Sequence, residues 1–123
     1  MIDPLELRKG NIIEYNGEQV KVVGFDEEYV YLNIATVDYV GFDEVFPIEL
    51  NGNIILKLGF CKSFKHVSNS LMFQKEEYVI SHSIQSNWQF WVSNTIVSNA
   101  PQTLHRLQNI YLELSGSELQ LTN

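Results

Sequence analysis

Apolar and polar residues alternate through much of the chain with the two-residue period of strands. Asn11-Ile12-Ile13-Glu14-Tyr15 runs into Asn16-Gly17, and Glu18-Gln19-Val20-Lys21-Val22-Val23 leads away from it. An Asn-Gly pair suits the positive φ angles of a type I′ turn, so a hairpin is predicted. Gly24 breaks the alternation and marks a bulge, and Asp26-Glu27-Glu28 reads as a polar turn. Over residues 29–34, Tyr29 and Tyr31 face one way while Val30, Leu32 and Ile34 face the other. Residues 37–42 and 45–48 complete the set, with Pro47 placing the last strand at an edge or strand end. Five short strands joined by tight turns predict a small barrel of SH3-like shape over residues 1–50. Val-Gly-Phe-Asp-Glu occurs twice, at 23–27 and 40–44, which is too short and too rare for a repeat architecture.

Asn51 caps a predicted short helix over 52–58, with Ile54, Ile55 and Leu58 on its buried face and Gly59 at its end. Residues 60–64, 71–74, 77–83 and 88–93 read as strands, separated in part by turns at Ser68-Asn69-Ser70 and Gln85-Ser86-Asn87. An antiparallel meander is the expected arrangement. A terminal helix follows, with Asn99 as its expected cap and Pro101 in its first turn. Leu104, Leu107, Tyr111 and Leu114 form its apolar seam, Ile110 widens it, and Gly116 ends it. Residues 118–121 alternate and predict a short edge strand. The expected fold is α+β and mainly β. It comprises the small barrel, a linking helix, and an antiparallel C-terminal sheet over 51–123 packed by the C-terminal helix, all in one domain.

Composition narrows the picture. The chain has 123 residues, 45% hydrophobic and 19% charged, so a folded domain is expected rather than disorder. Residues 1–50 hold eleven acids and three bases, net −8, whereas residues 51–123 are near neutral at +1. The acidic half would repel a phosphate backbone, so nucleic acid is a disfavoured partner. The opening residues lack the order of a signal peptide, no apolar run reaches membrane-spanning length, and Cys61 has no cysteine to pair with. These features predict a cytoplasmic protein without a membrane partner.

Three blocks carry a resemblance. Leu7-Arg8-Lys9-Gly10-Asn11, continuing to Gly17, resembles the opening of a family of small uncharacterised proteins from Bacteroidetes and their phages. The stretch Leu104-His105-Arg106-Leu107-Gln108-Asn109-Ile110-Tyr111, continuing to Leu119, resembles their closing helix. Ile54-Ile55-Leu56-Lys57-Leu58-Gly59-Phe60 resembles their central segment. The departures, Glu113 for a small residue and Ser115 for threonine, are minor for the fold. The resemblance implies a bacterial or phage origin and brings no reaction, ligand or catalytic residue with it.

Candidate chemistry is sparse. His105, Asn109 and Glu113 form a polar stripe beside the helical seam: a recognition edge or acid–base pair, or else groups that satisfy backbone where the helix packs. Gln108 sits at the margin of that seam. Cys61, His66, His82 and His105 match no metal-ligand spacing, Asp26-Glu27-Glu28 and Asp43-Glu44 lack the pattern of a calcium loop, and no cofactor motif occurs. The C-terminal sheet is aromatic through Phe73, Tyr78, Trp88, Phe90 and Trp91. Trp88 and Trp91 differ by three and so point to opposite faces of one strand. The favoured reading is a non-catalytic protein-interaction module, with Trp88, Trp91, Tyr78, His105 and Asn109 as candidate binding residues. A nucleic-acid-binding small barrel, or an enzyme with dispersed residues such as His82 and His105, are the alternatives. Self-pairing through the edge at 118–121 would give a homo-oligomer.

Overall fold

A computed structural model describes residues 2–62, 70–83, 87–97 and 100–122. It is mainly β, with two five-stranded antiparallel sheets and two α-helices among those residues. Chain contacts divide it into two units. The first joins Met1–Glu49 to Thr103–Glu118, and the second joins Leu50–Gln102 to Leu119–Asn123.

The first sheet comprises β1 (Ile12–Tyr15), β2 (Glu18–Phe25), β3 (Tyr29–Leu32), β4 (Tyr39–Gly41) and β5 (Val45–Phe46), in the order β4-β3-β2-β1-β5. Asn16 and Gly17 adopt φ of 53° and 81°, as the predicted I′ turn requires, and Ile13 pairs with Val20 across it. The bulge lies where expected. Val22 pairs with Leu32 and Gly24 with Tyr31, so Val23 is the extra residue. This reverses the facing of β2: Val20 and Val22 point into the core, and beyond the bulge Phe25 pairs with buried Val30 while Gly24 turns outward. The core gathers Ile2, Leu7, Ile13, Val20, Val22, Val30, Leu32, Val40, Phe42 and Val45. β4 and β5 are edge strands that do not pair with each other, so the sheet is open where a closed barrel was expected. β4 pairs with β3 and β5 with β1, which leaves the outer edge of each without a ladder partner among the described residues.

The C-terminal helix α2 (Leu104–Ser115) belongs to this first unit, where the sequence placed it over the second sheet. Its start also differs. Leu104 N–H donates to the Ile48 carbonyl, and Thr103 forms an antiparallel bridge with Glu49. The residues around Pro101 are thereby held out of the helix, and extended Thr103 is its N-cap; Asn99 lies outside the described residues. Gly116, at φ 77°, closes the helix by donating its N–H to the Leu112 carbonyl. Leu104, Leu107 and Tyr111 are buried as expected, but Leu114 is 47% exposed. The buried face is rotated through His105 and Gln108, which moves Leu114 off it.

In the second unit, α1 (Gly52–Lys57) is capped by Asn51, whose Oδ1 accepts from Ile54 N–H at 2.9 Å. The strands β6 (Cys61–Lys62), β7 (Ser70–Lys75), β8 (Tyr78–Ser83), β9 (Trp88–Val92) and β10 (Thr95–Val97) pair in chain order, as a meander should. The remainder of the expected 60–64 strand, and the 68–70 and 85–87 turns, fall largely outside the described residues. β10 was not predicted. Ser93 and Asn94 make its turn with φ of 47° and 70°, without the glycine that signals such a turn. Residues 118–121 form no strand; beyond them the Thr122 N–H and hydroxyl both donate to the Lys57 carbonyl.

Candidate interaction surface

The candidate residues named from sequence go to structural duties. Trp88 and Tyr78 are buried on one face of the second sheet: Tyr78 stacks on Phe90 at 6.1 Å and Trp88 lies 6.3 Å from Phe73. Trp91 points to the opposite face, as its spacing from Trp88 required. It is half-buried there, between Val79 and Ile96, and donates its indole N–H to Ser81 Oγ at 3.1 Å. Gln102 makes a paired amide contact with Trp88, donating to its carbonyl and accepting from its N–H. His82 packs its ring against Trp88, Cys61 is an exposed free thiol, and His66 lies outside the described residues.

Asn109 and Gln108 fasten α2 to the N-terminal segment. Gln108 Oε1 accepts from the Ile12 N–H at 2.8 Å, and its Nε2 donates to the Gly10 carbonyl at 3.2 Å. Asn109 Oδ1 accepts from Asn11 and from Arg8 Nε, and its Nδ2 donates to the Glu6 carbonyl. Arg8 also forks onto the Glu118 carboxylate at 2.7 and 3.1 Å. Gly10 reaches φ 96° within this segment, where its N–H donates to the Val22 carbonyl. The Leu-Arg-x-Gly-Asn and Leu-His-x-Leu-Gln-Asn blocks are thus the two sides of one clamp. His105 completes it. Its Nδ1 is 3.3 Å from Thr103 Oγ1, and its Nε2 is buried without a hydrogen bond, 3.6 Å from Glu6 Oε2. Burial pushes its pKa down, against the upward pull of Glu6. Glu6 in turn is held low, first by its ion pair with Arg106.

The surface the sequence did not single out lies on the outer face of β3 and β4. Tyr29, Tyr31 and Tyr39 are 39%, 36% and 53% exposed. The Tyr29 and Tyr39 rings meet edge to face at 4.8 Å, and Tyr31 lies 6.1 Å from Tyr39. The short Val-Gly-Phe-Asp-Glu repeat builds their bed. Its two copies flank β3, so that Gly24 pairs with Tyr31 and Gly41 with Tyr29. A Cβ on Gly24 would stand 3.9 Å from the Tyr31 ring, so that ring lies over the bare backbone. The two phenylalanines of the repeat meet edge to face, 6.4 Å apart. Its two acidic ends organise the turns. Asp26 Oδ1 accepts from the N–H groups of Glu28 and Tyr29, its Oδ2 accepts from the Tyr31 hydroxyl at 2.7 Å, and Glu44 accepts from the Gly41 N–H. The Tyr31 hydroxyl and the two backbone donors hold the Asp26 carboxyl below its usual range, and Asp26 raises the Tyr31 phenol.

A separate open cleft of about 430 Å³ lies between Glu14, Gly17, Glu18 and Gln19 on one side and Pro47, Ile48 and Glu49 on the other. It holds carboxylates without a histidine, cysteine or hydroxyl nucleophile. Among the described residues, no three His, Cys, Asp or Glu side chains converge to hold a metal, and no helix is long and apolar enough to cross a membrane. Comparison of the chain with protein-family models, with curated proteins and with solved structures finds no match.

Proposed function

We propose that this protein is a non-catalytic interaction module that binds another protein through the tyrosine-bearing face of β3 and β4. One observation carries the reading: three tyrosine rings are held together on the outer face of a sheet, partly in solvent, with the Tyr31 ring lying over Gly24. Tyrosine offers large contact area at little rotamer entropy, which suits a standing contact surface. A rigid sheet fixes three such rings in advance. The strand order β4-β3-β2-β1-β5, with a 3-10 turn at Phe42–Glu44 before the last strand, supports reading the first unit as an opened SH3-like small barrel. Barrels of that kind commonly dock peptides on aromatic surfaces.

We further read the chain as a bacterial or phage accessory protein of the cytoplasm. Contact between the two terminal blocks gives a physical reason for their occurring together, and the exposed, unbridged Cys61 fits a reducing compartment. The acidic excess of the first fifty residues speaks against nucleic acid as the partner.

The test is affinity capture from the host with the wild-type chain and with the double variant Tyr29→Ser/Tyr39→Ser, followed by reconstitution with the purified partner. A protein held by the wild type and released by the folded variant supports the reading. Capture that is indifferent to both tyrosines overturns it.

A further inference from the structure

We propose that the segment received by the tyrosine face is cationic, an arginine-bearing stretch of the partner protein laid across Tyr29, Tyr31 and Tyr39. This rests on the interaction-module reading and names its ligand chemistry. Ring faces of tyrosine carry negative potential and attract a guanidinium, which also stacks flat on them.

The surroundings act in the same direction. Asp26 sits at the Tyr31 hydroxyl, and Glu27 and Glu28 share its turn. Asp38 precedes Tyr39, while Asp43 and Glu44 follow Gly41, the cross-strand partner of Tyr29. Among the described residues, none of these six carboxylates is in an ion pair. The ion pairs of the first unit, Arg8 with Glu118 and Arg106 with Glu6, serve the helix clamp instead. The face is therefore aromatic at its centre, and the carboxylates around it form no ion pair among the described residues. An acidic partner would meet repulsion there, and a purely apolar one would leave the negative charge of the rim unmatched. An arginine segment matches both parts: the planar head stacks on the rings, and its charge faces the carboxylates.

The experiment is a titration of isotope-labelled full-length protein, followed by amide NMR, with three short peptides. They alternate glycine and serine with arginine, with lysine or with glutamate. Arginine peptide is expected to shift the amides of β3 and β4, to bind more tightly than the lysine peptide, and to weaken as salt rises. Tyr39→Phe keeps the ring and should keep the affinity, while Tyr39→Leu should lose about fivefold, the scale of one partly exposed cation–aromatic contact. Both variants are surface changes whose spectra report folding directly. Equal binding of the glutamate peptide overturns the proposal, as does full affinity in Tyr39→Leu or self-association of the free protein through these same amides. If no peptide binds yet host capture still depends on Tyr29 and Tyr39, the cationic inference fails and the interaction module stands. If capture is also indifferent to the tyrosines, the module reading fails.

Discussion

Gln108 shows how one side chain can fix a helix. It is fully buried, and its amide reproduces for Ile12 and Gly10 the bonds that a neighbouring strand would have made. Replacing it by leucine keeps the volume but leaves an N–H and a carbonyl without partners. At one to three kcal/mol for each buried unsatisfied group, Gln108→Leu should cost about 3 kcal/mol, read as a drop in the denaturant midpoint. Periodicity could not place it at the centre. A hydrophobic seam counts glutamine as a margin residue, and the backbone groups that need it lie nearly a hundred positions away in sequence. The bland reading of Asn109 as a backbone partner was legible, since it does accept and donate where the helix packs. His105 gives a pH signature. Its folded-state pKa is lowered, so the unfolded chain takes up the proton more readily. Its contribution to stability is complete above the ordinary histidine value of roughly 6.5 and is lost as pH falls below it. Glu6 and Arg106 face the same ring and oppose one another. Urea melts should show wild-type stability falling from pH 7.5 to 5.5, and a clearly flatter dependence in His105→Gln.

Turns decide how far the elements could be read. Asn16-Gly17 announced its hairpin because both residues tolerate positive φ, whereas Ser93-Asn94 makes a positive-φ turn with asparagine as its one signal and serine in the other place. Gly17 stands in open space at φ 81°, so alanine there meets strain alone. Gly17→Ala should cost about 1 kcal/mol in thermal or denaturant unfolding and leave the fold intact. The tyrosine face was half legible. Alternation along β3 put Tyr29 and Tyr31 together, but Tyr39 joins them only through the pairing of β3 with β4. The repeated pentapeptide belongs to the same lesson. Its meaning is the placing of two glycines on either side of one strand, and that appears only once the strands are side by side.

At the scale of the whole molecule, the first unit is built from two separated stretches, residues 1–49 and 103–118, with residues 50–102 inserted between them and residues 119–123 assigned to the second unit. The ends of that insertion adjoin Glu49 and Thr103, which form an antiparallel bridge. A short glycine-rich linker can therefore replace the insertion. A chain joining residues 2–49 to 103–118 in this way should fold, giving dispersed amide spectra and a cooperative melt. The order of synthesis makes the nesting consequential. The five strands of the first sheet leave the ribosome well before α2 does, and through that interval Ile12 and Gly10 wait without Gln108. The nascent sheet must stay soluble with an unsealed flank until roughly fifty more residues have been translated. Slowing elongation within the insertion would lengthen that vulnerable period and raise the demand for chaperones, although the finished protein would be identical.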